Sequence, residues 1–147
     1  MRNSMKLSEK EIKHIAGELD CGLEIHINLD DNTIKALPSQ EDIENNGMHD
    51  DWANDIAEVE SWKNSITLEP LESWENYKFM EDFIETLSDH QMQAKLEIAL
   101  GKRRPFAHFK AIVENSEYRQ LWFEYHNERY LQAIIKNLPN ELLPEIE

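Results

Sequence analysis

Residues 22–38 read GLEIHINLDDNTIKALP, and this stretch decides the fold class. Leucine and isoleucine occupy every second position from 23 to 29, and a period of two is typical of a strand with one buried face. The sequence Asp-Asp-Asn at 30–32 predicts a turn, because these residues tolerate left-handed backbone. The chain then returns as a second strand, which Pro38 ends. The stretch therefore predicts a β-hairpin over residues 23–37.

The sequence on either side of the hairpin predicts one helix and one further strand. Ser8 with Glu11 forms a capping box in front of an apolar stripe, which indicates a short amphipathic helix that ends near Cys21. Apolar residues alternate again over 65–69 before Pro70, and this pattern predicts a third strand. A small antiparallel sheet follows from these strands.

The segment 39–64 is the most acidic part of the front half. Ser39 favours a helix start, yet the sequence Asn-Asn-Gly at 45–47 breaks the helix. From Asp50 onward, apolar side chains recur with helical spacing, and they are Trp52, Ile56, Val59 and Trp62. We interpret this part as a helix with a strongly solvated outer face.

The residues from 73 onward predict four helices. Their starts are assigned to Ser73, to Ser88 in a capping box with Gln91, to Pro105 as a first-turn residue, and to Ser116. Gly101 is assigned as the C′ glycine of the second of them, and Pro139 ends the last. The apolar stripes comprise Tyr77, Met80, Phe83, Ile84 and Leu87, then Met92, Leu96, Ala99 and Leu100, then Phe106, Phe109, Ile112 and Val113, and finally Leu121, Trp122, Tyr125, Leu131, Ile134 and Ile135.

The fold class is therefore α+β, with a small antiparallel sheet (hairpin 23–37 plus strand 65–69) and a C-terminal four-helix segment. A chain of 147 residues fits one domain over residues 1–147. Its parts are an acidic α/β front part (1–72), a helical part (73–139) and a tail (140–147). The tail either frays or docks through Leu142, Leu143 and Ile146.

The net charge of −15 is unevenly distributed. Residues 18–75 hold sixteen acids and two bases, whereas residues 76–147 hold twelve acids and nine bases. A negative field repels phosphate backbones, so nucleic acid is an unfavoured partner for the whole chain. Apolar runs of a few residues predict no membrane span, and Met1–Lys13 has no apolar core of a signal peptide. We expect a cytoplasmic protein.

Several of these motifs resemble a bacterial family known only as uncharacterised protein family 0158 of the UPF series. The family places an aromatic residue, a methionine and a phenylalanine on one helix, then a Leu-Gly turn into a Phe-x-x-Phe-Lys helix, then a tryptophan with an aromatic residue three positions on. The matching residues are Tyr77, Met80, Phe83, Leu100, Gly101, Phe106, Phe109, Lys110, Trp122, Tyr125 and Arg129. The resemblance is strongest over residues 66–138. It implies an α+β fold and no substrate, cofactor or catalytic residue.

The resemblance extends to the hairpin, where the family has a Leu-Asp pair ahead of a turn with threonine and glycine. Leu29, Asp30 and Thr33 are present here, but Ile34 follows in place of the glycine. The missing glycine affects only the predicted form of the turn, and we still expect the hairpin.

A tight basic cluster is the first candidate contact surface, and its members are Lys102, Arg103, Arg104, His108 and Lys110. Cations interleaved with Phe106 and Phe109 can hold phosphates and stack bases. The more favoured interpretation is structural, with the cations beside the C-terminal dipole of the preceding helix and both rings in the core. The cluster could also dock on the acidic half of this chain or of another copy.

The second candidate surface is acidic and comprises Trp52, Trp62, Asp50, Asp51 and Asp55. Tryptophan anchors cores and interfaces alike, and flanking carboxylates suit a basic protein surface. The competing interpretation is a plain solvated face. His49 beside Asp50 and Asp51 is a conceivable metal corner, although no EF-hand spacing is present.

No motif in the sequence supplies a recognisable catalytic constellation. The lone Cys21 excludes an internal disulfide and a cysteine-based zinc site. His126 lies near Glu124, Glu128 and Arg129 on one helix, which favours a surface polar cluster over catalysis. We expect no catalytic residue, no cofactor and no bound metal, and we lean away from an enzyme.

Three functions stay open at this point. The first is a non-enzymatic cytoplasmic interaction or regulatory protein that uses its acidic front surface. The second is a nucleic-acid-associated regulator that uses residues 102–110, and the remote third is a carboxylate-metal hydrolase. A protein partner is favoured, no membrane contact is expected, and a homo-oligomer is possible.

Overall fold

The computed structural model describes residues 6–144 and confirms the predicted α+β class. Within these residues there are seven α-helices and one three-stranded antiparallel sheet. The chain divides into two compact units, of which the first contains residues 6–70 and 131–144 and the second contains residues 71–130. The single-domain assignment stays a prediction.

The first unit contains the sheet and three of the helices. Its elements are α1 (Glu9–Asp20), β1 (Glu24–Asn28), β2 (Ile34–Leu37), α2 (Gln40–Asn45), α3 (His49–Ser61) and β3 (Ser65–Leu68). The second unit contains α4 (Ser73–Thr86), α5 (His90–Leu100), α6 (Pro105–Glu114) and most of α7 (Arg119–Asn137). The end of α7 and a 3-10 turn at Asn140–Leu142 belong to the first unit.

The predicted hairpin and third strand are confirmed, and the strand order is β2-β1-β3. Ile25 lies opposite Ala36 on one side and Leu68 on the other, with both pairings antiparallel. In the turn, Asn32 takes a left-handed backbone with φ 61°. The Asp31 carboxylate accepts a hydrogen bond from the Thr33 amide at 2.9 Å. This short polar turn fixes the register that buries Ile25 and Ile27.

The core of the first unit is aliphatic. The predicted stripe of α1 is buried, and its members are Ile12, Ile15, Ala16 and Leu19. The capping box is confirmed, because Ser8 Oγ accepts from the Glu11 amide at 3.1 Å while Glu11 Oε1 accepts from the Ser8 amide at 2.9 Å. Leu142 is fully buried, and its carbonyl accepts from the Leu7 amide at 2.8 Å. The tail is therefore docked as far as it is described, and Ile146 lies outside the described residues.

The core of the second unit is aromatic, with Phe83 at its centre. Its ring centroid lies 5.2 Å from that of Trp122, 5.4 Å from that of Tyr125 and 6.4 Å from that of Phe109. Phe83 and Phe109 are fully buried. Edge-to-face aromatic contacts of this kind add to the free energy gained by burial.

Two residues of this unit have burial that the stripes do not predict. Phe79 is buried although it lay outside the predicted stripe, and Leu121 is 49% exposed although it lay inside. The buried face of α7 runs through Trp122 and Tyr130, which are two turns apart. Leu121 precedes Trp122 by one residue and so points about 100° away around the helix.

Two predicted helix starts are wrong by one residue. Glu72, not Ser73, is the N-cap of α4, and the Glu75 carboxylate accepts from its amide at 3.0 Å. Asp89, not Ser88, caps α5, with its Oδ1 accepting from the Met92 amide at 3.0 Å. At α5 the ionised carboxylate of Asp89 accepts a stronger hydrogen bond than a serine hydroxyl does, which favours Asp89 over Ser88 as the cap.

The turn between α5 and α6 also differs from the prediction. Gly101 ends α5 with right-handed backbone at φ −82°, so it is not a left-handed C′ glycine. Arg104 takes the left-handed conformation instead, with φ 57° and ψ 57°, directly before Pro105. Proline disfavours right-handed helical backbone in the residue before it, so the chain changes direction at Arg104. Pro105 is confirmed as the first residue of α6.

The assignment of Ser116 as the cap of the last helix is wrong. Its hydroxyl donates to the Val113 carbonyl at 2.7 Å and accepts from the Tyr118 amide at 3.1 Å. It thereby closes a turn between α6 and α7, and α7 begins at Arg119.

Candidate functional site

Helix α3 carries most of the predicted acidic surface. It has no buried residue, and Asp50 and Asp51 are exposed in its first turn. Carboxylates at that position interact favourably with the positive end of the helix dipole. Trp52 and Trp62 are both half-buried, the second as the C-cap residue. Helix α3 thus carries the acids and Trp52, and Trp62 lies at its other end about 15 Å along the helix axis.

Asp55 differs from the other predicted acids because it has a partner on β2. Lys35 Nζ lies 3.1 Å from Asp55 Oδ1 and 3.4 Å from Glu58 Oε1. The hydrogen bond with Asp55 raises the pKa of Lys35. Within residues 6–144, Asp50 and Asp51 form no such ion pair. Their charge is therefore the part of the acidic surface that is open to a partner.

A cavity of about 320 Å³ lies beside α3 within the first unit, and Glu24 and His26 of β1 line it. His26 Nε2 is 3.7 Å from Glu24 Oε1, too far for a hydrogen bond, and His26 Nδ1 is 3.0 Å from Thr67 Oγ1. Burial lowers the pKa of His26. Burial, followed by the charges of Glu69 and Asp42, raises the pKa of Glu24. Each of these environments favours the neutral side chain.

The conceivable metal corner is not assembled. In the part of the chain that the structure describes, no three His, Cys, Asp or Glu side chains form a group that could hold a metal ion. His49, Asp50 and Asp51 instead follow one another in the first turn of α3. Successive helical residues point about 100° apart, which does not direct three ligands at one point.

The basic cluster lies at the turn between α5 and α6, and its five members are all exposed. None of their side chains forms an ion pair within residues 6–144. Of the two interleaved rings, Phe109 is fully buried and Phe106 is half-buried. Phe109 is therefore a core residue and cannot stack on a base.

Arg129 lies in a contact that the sequence did not predict. Its guanidinium reaches Asp82 Oδ2 on α4 at 2.8 Å and donates to the Tyr125 hydroxyl at 2.6 Å. It also lies 5.2 Å from the centroid of the Phe79 ring. The hydrogen bond from Arg129 lowers the pKa of Asp82. No local signal could reveal this pair, because the two residues are 47 positions apart in sequence.

His126 of α7 lies among aromatic rings. Its ring centroid is 5.2 Å from that of Trp122 and 6.0 Å from that of Phe79, and its Nε2 is 3.3 Å from Asn76 Oδ1. Arg129 of the predicted polar cluster pairs with Asp82 on α4, and the association of His126 with the other members stays a prediction.

Two further observations limit the possible sites. Cys21 is an exposed free thiol at the end of α1. No helix within residues 6–144 combines the length and apolar character that a membrane crossing needs.

Comparison with known proteins confirms the family resemblance. The sequence profile of the Uncharacterised protein family (UPF0158) matches residues 22–145. A UPF0158 protein from Pseudomonas aeruginosa is 29% identical over 92 residues, which cover 54% of this chain and 60% of that relative. The chain thus aligns with less than two thirds of the relative's length. No solved structure matches the chain significantly. Neither name assigns an activity.

Proposed function

The chain belongs to the uncharacterised protein family UPF0158, and we propose that it is a non-enzymatic interaction protein that binds a basic protein partner through α3. The observation that carries this proposal is the state of α3, which buries no residue and leaves Asp50 and Asp51 without an ion pair in the described chain. The location we propose is the cytoplasm, where an exposed thiol such as Cys21 stays reduced.

The surroundings of α3 support a charged recognition surface. Residues 18–75 hold sixteen acids and two bases, and one of those bases, Lys35, is already paired with Asp55 and Glu58. A field of one sign accelerates encounter with a partner of the opposite sign and repels partners of like sign. Half-buried Trp52 and Trp62 offer apolar area at the same helix. A basic protein surface satisfies both features.

The alternative nucleic-acid function has weaker support. The exposed cations of residues 102–110 could contact phosphates, but the buried Phe109 removes one of the two rings that would stack on bases. The carboxylate-metal hydrolase gains no supporting observation from the arrangement of α3. We therefore retain the protein partner as the proposal.

Affinity capture with defined variants tests the proposal. The purified chain is immobilised and exposed to lysate of its host at low salt, and the captured proteins are eluted at high salt and identified. We expect basic proteins that the double variant Asp50→Asn, Asp51→Asn no longer captures, because the surface loses two charges while the side chains keep nearly the same size and shape. Isothermal titration with the leading purified candidate then measures the loss of affinity.

A matched control removes the same charge elsewhere. Glu81 and Glu85 are exposed acids one turn apart on α4, so Glu81→Gln, Glu85→Gln also changes the charge by two. We expect this variant to capture the same proteins as the unmodified chain. If both double variants lost the captured proteins equally, net charge alone would explain the loss. That result would contradict a binding site on α3.

A further inference from the structure

A groove of about 380 Å³ runs between α5 and α6 within the second unit. Its lining includes Lys95, Ile98 and Lys102 from one side and His108, Ala111 and Ile112 from the other. On each side the lining residues are spaced by three or four positions, so they form a stripe along one face of a helix. Two such stripes side by side form a trough about 10 Å long on the α5 side, which is the length of about two turns of a third helix.

The floor of the groove is aliphatic and open to solvent. Ile98 is 63% exposed, and among the large apolar side chains of the described residues only Trp74 is more exposed. Ala111 is exposed beside it and Ile112 is half-buried. Covering such side chains removes apolar area from water, which favours a partner with an apolar face.

The rim of the groove is cationic, in contrast to the protein as a whole. Residues 95–113 contain five bases and one acid, although the chain carries a net charge of −15. Lys95 and Lys102 are exposed and form no ion pair within residues 6–144. An apolar floor between unpaired cations is complementary to a segment with an apolar stripe flanked by carboxylates.

We propose that this groove binds an acidic amphipathic helix of a partner protein. Helix-in-groove recognition lays the apolar stripe of an amphipathic helix on an apolar floor, and the exposed Ile98 and Ala111 supply such a floor beside Lys95 and Lys102. Exposed aromatic rings for stacking bases are absent from the lining, so single-stranded nucleic acid fits less well. A recessed site on a strongly acidic chain also suits a helix better than an anionic membrane surface.

The test uses a synthetic peptide of about four helical turns, in which leucines recur every three or four positions among glutamates. Fluorescence anisotropy measures its binding to the full chain at two salt concentrations. We expect saturable binding that weakens as salt rises. The variant Lys95→Glu, Lys102→Glu should weaken it by roughly a hundredfold, and Ile98→Ser by roughly tenfold.

Three control variants locate the site. Lys63→Glu changes an exposed lysine of the first unit, and Arg103→Glu changes a cation of the basic cluster outside the groove lining. The first should leave binding unchanged, and the second should weaken it by no more than a few-fold. Asp50→Asn, Asp51→Asn should also leave it unchanged, which separates this proposal from the function proposed for α3. Circular dichroism of every variant establishes that each is folded.

Several results would overturn the proposal. Absence of peptide binding, or equal weakening by Lys63→Glu and by the groove variants, would refute the groove as the site. Preferential binding of single-stranded DNA or of anionic phosphatidylserine vesicles at the same residues would assign it to another class of partner. Sedimentation that shows self-association lost in Lys95→Glu, Lys102→Glu would assign it to a second copy of this chain.

Discussion

The two units differ in the side chains that form their cores. In the second unit, the aromatic side chains of Phe83 and Phe109 are fully buried and form the core, whereas Trp74 at the start of α4 is 65% exposed. In the first unit, the aliphatic residues of α1 and β1 form the core, while Trp52 and Trp62 of α3 stay half-buried. Helix α1 buries an apolar stripe and keeps its charges on the opposite face, whereas α3 buries no residue.

This difference separates the residues that hold the fold from the surfaces that we propose for partners. The exposed surface of the first unit is acidic at α3, and that of the second unit is cationic and aliphatic at the α5–α6 groove. Stability should therefore respond most to the aromatic core and least to these surfaces.

Phe83→Ala tests this comparison with the largest expected effect. Loss of a buried ring leaves a cavity and removes its contacts with Trp122 and Tyr125, so we expect the free energy of unfolding to fall by about 3–5 kcal/mol. Urea unfolding of wild type and variant measures it. Leu121→Ala serves as control, since this side chain is 49% exposed and should cost about 0.5 kcal/mol. Similar losses of stability in Phe83→Ala and Leu121→Ala would contradict the larger contribution that we assign to the aromatic core.

Arg129→Lys addresses the polar contact at the edge of that core. Lysine cannot donate to both Asp82 and Tyr125 in the planar geometry of a guanidinium, so we expect a loss of about 1 kcal/mol at neutral pH. Arg129 lowers the pKa of the Asp82 carboxyl below 3.8. The stability that this pair contributes is therefore present above pH 3.8 and is lost as the pH falls through the lower pKa of the folded state. Urea unfolding of both proteins across this range should show the difference between them shrinking in acid.

The matched control is Arg119→Lys. Arg119 also lies over an aromatic ring, 5.2 Å from the centroid of Phe123, but is exposed. We expect a loss below about 0.5 kcal/mol that does not change in acid. A larger loss at Arg119 than at Arg129 would contradict the role of the carboxylate.

The cavity of the first unit should give a smaller, pH-dependent effect. Because the pKa of Glu24 is raised above 4.5 in the folded state, its contribution to stability is present below that pH and is lost as pH rises through the folded value. Glu24→Gln should therefore be more stable than wild type at pH 7, by less than about 1 kcal/mol, and should lose this advantage in acid. Thermal unfolding at several pH values measures the change, with Glu85→Gln as exposed control.

His26 lines the same cavity, and its effect on the pH dependence of stability is opposite to that of Glu24. Its pKa is lowered below 6.5 in the folded state, so the unfolded chain takes up the proton first and stability falls as pH drops below 6.5. His26→Gln should flatten this part of the pH profile. An unchanged slope between wild type and variant would show that His26 titrates as a solvated group.

Arg104→Gly has the smallest expected effect. Left-handed backbone is strained for arginine and not for glycine, which favours the variant, whereas the added entropy of glycine in the unfolded chain opposes it. We therefore expect the free energy of unfolding to rise by about 0.5 kcal/mol. Arg103→Gly removes the same charge at a position without positive φ, and it should lower stability or leave it unchanged. Thermal unfolding of the pair separates backbone strain from the loss of a cation.

Features that depend on near neighbours along the chain can be predicted from the sequence. The hairpin, the capping box of Ser8 and Glu11, and the start of α6 at Pro105 were all predicted and found, because strand alternation, caps and proline act over a few residues. The same locality explains the errors of one residue at Ser73 and Ser88, where neighbouring side chains compete for one cap. The residues of both candidate surfaces were also visible as charge patterns.

Contacts between residues that are far apart in the sequence depend on how the helices and strands pack. The order β2-β1-β3, the pairing of Arg129 with Asp82, and the choice of Phe79 over Leu121 for the core depend on how elements pack. The groove likewise exists only because α5 and α6 lie side by side and leave Ile98 uncovered between Lys95 and Lys102. Such contacts arise from the burial of whole faces, and a face has no partner until the chain has folded.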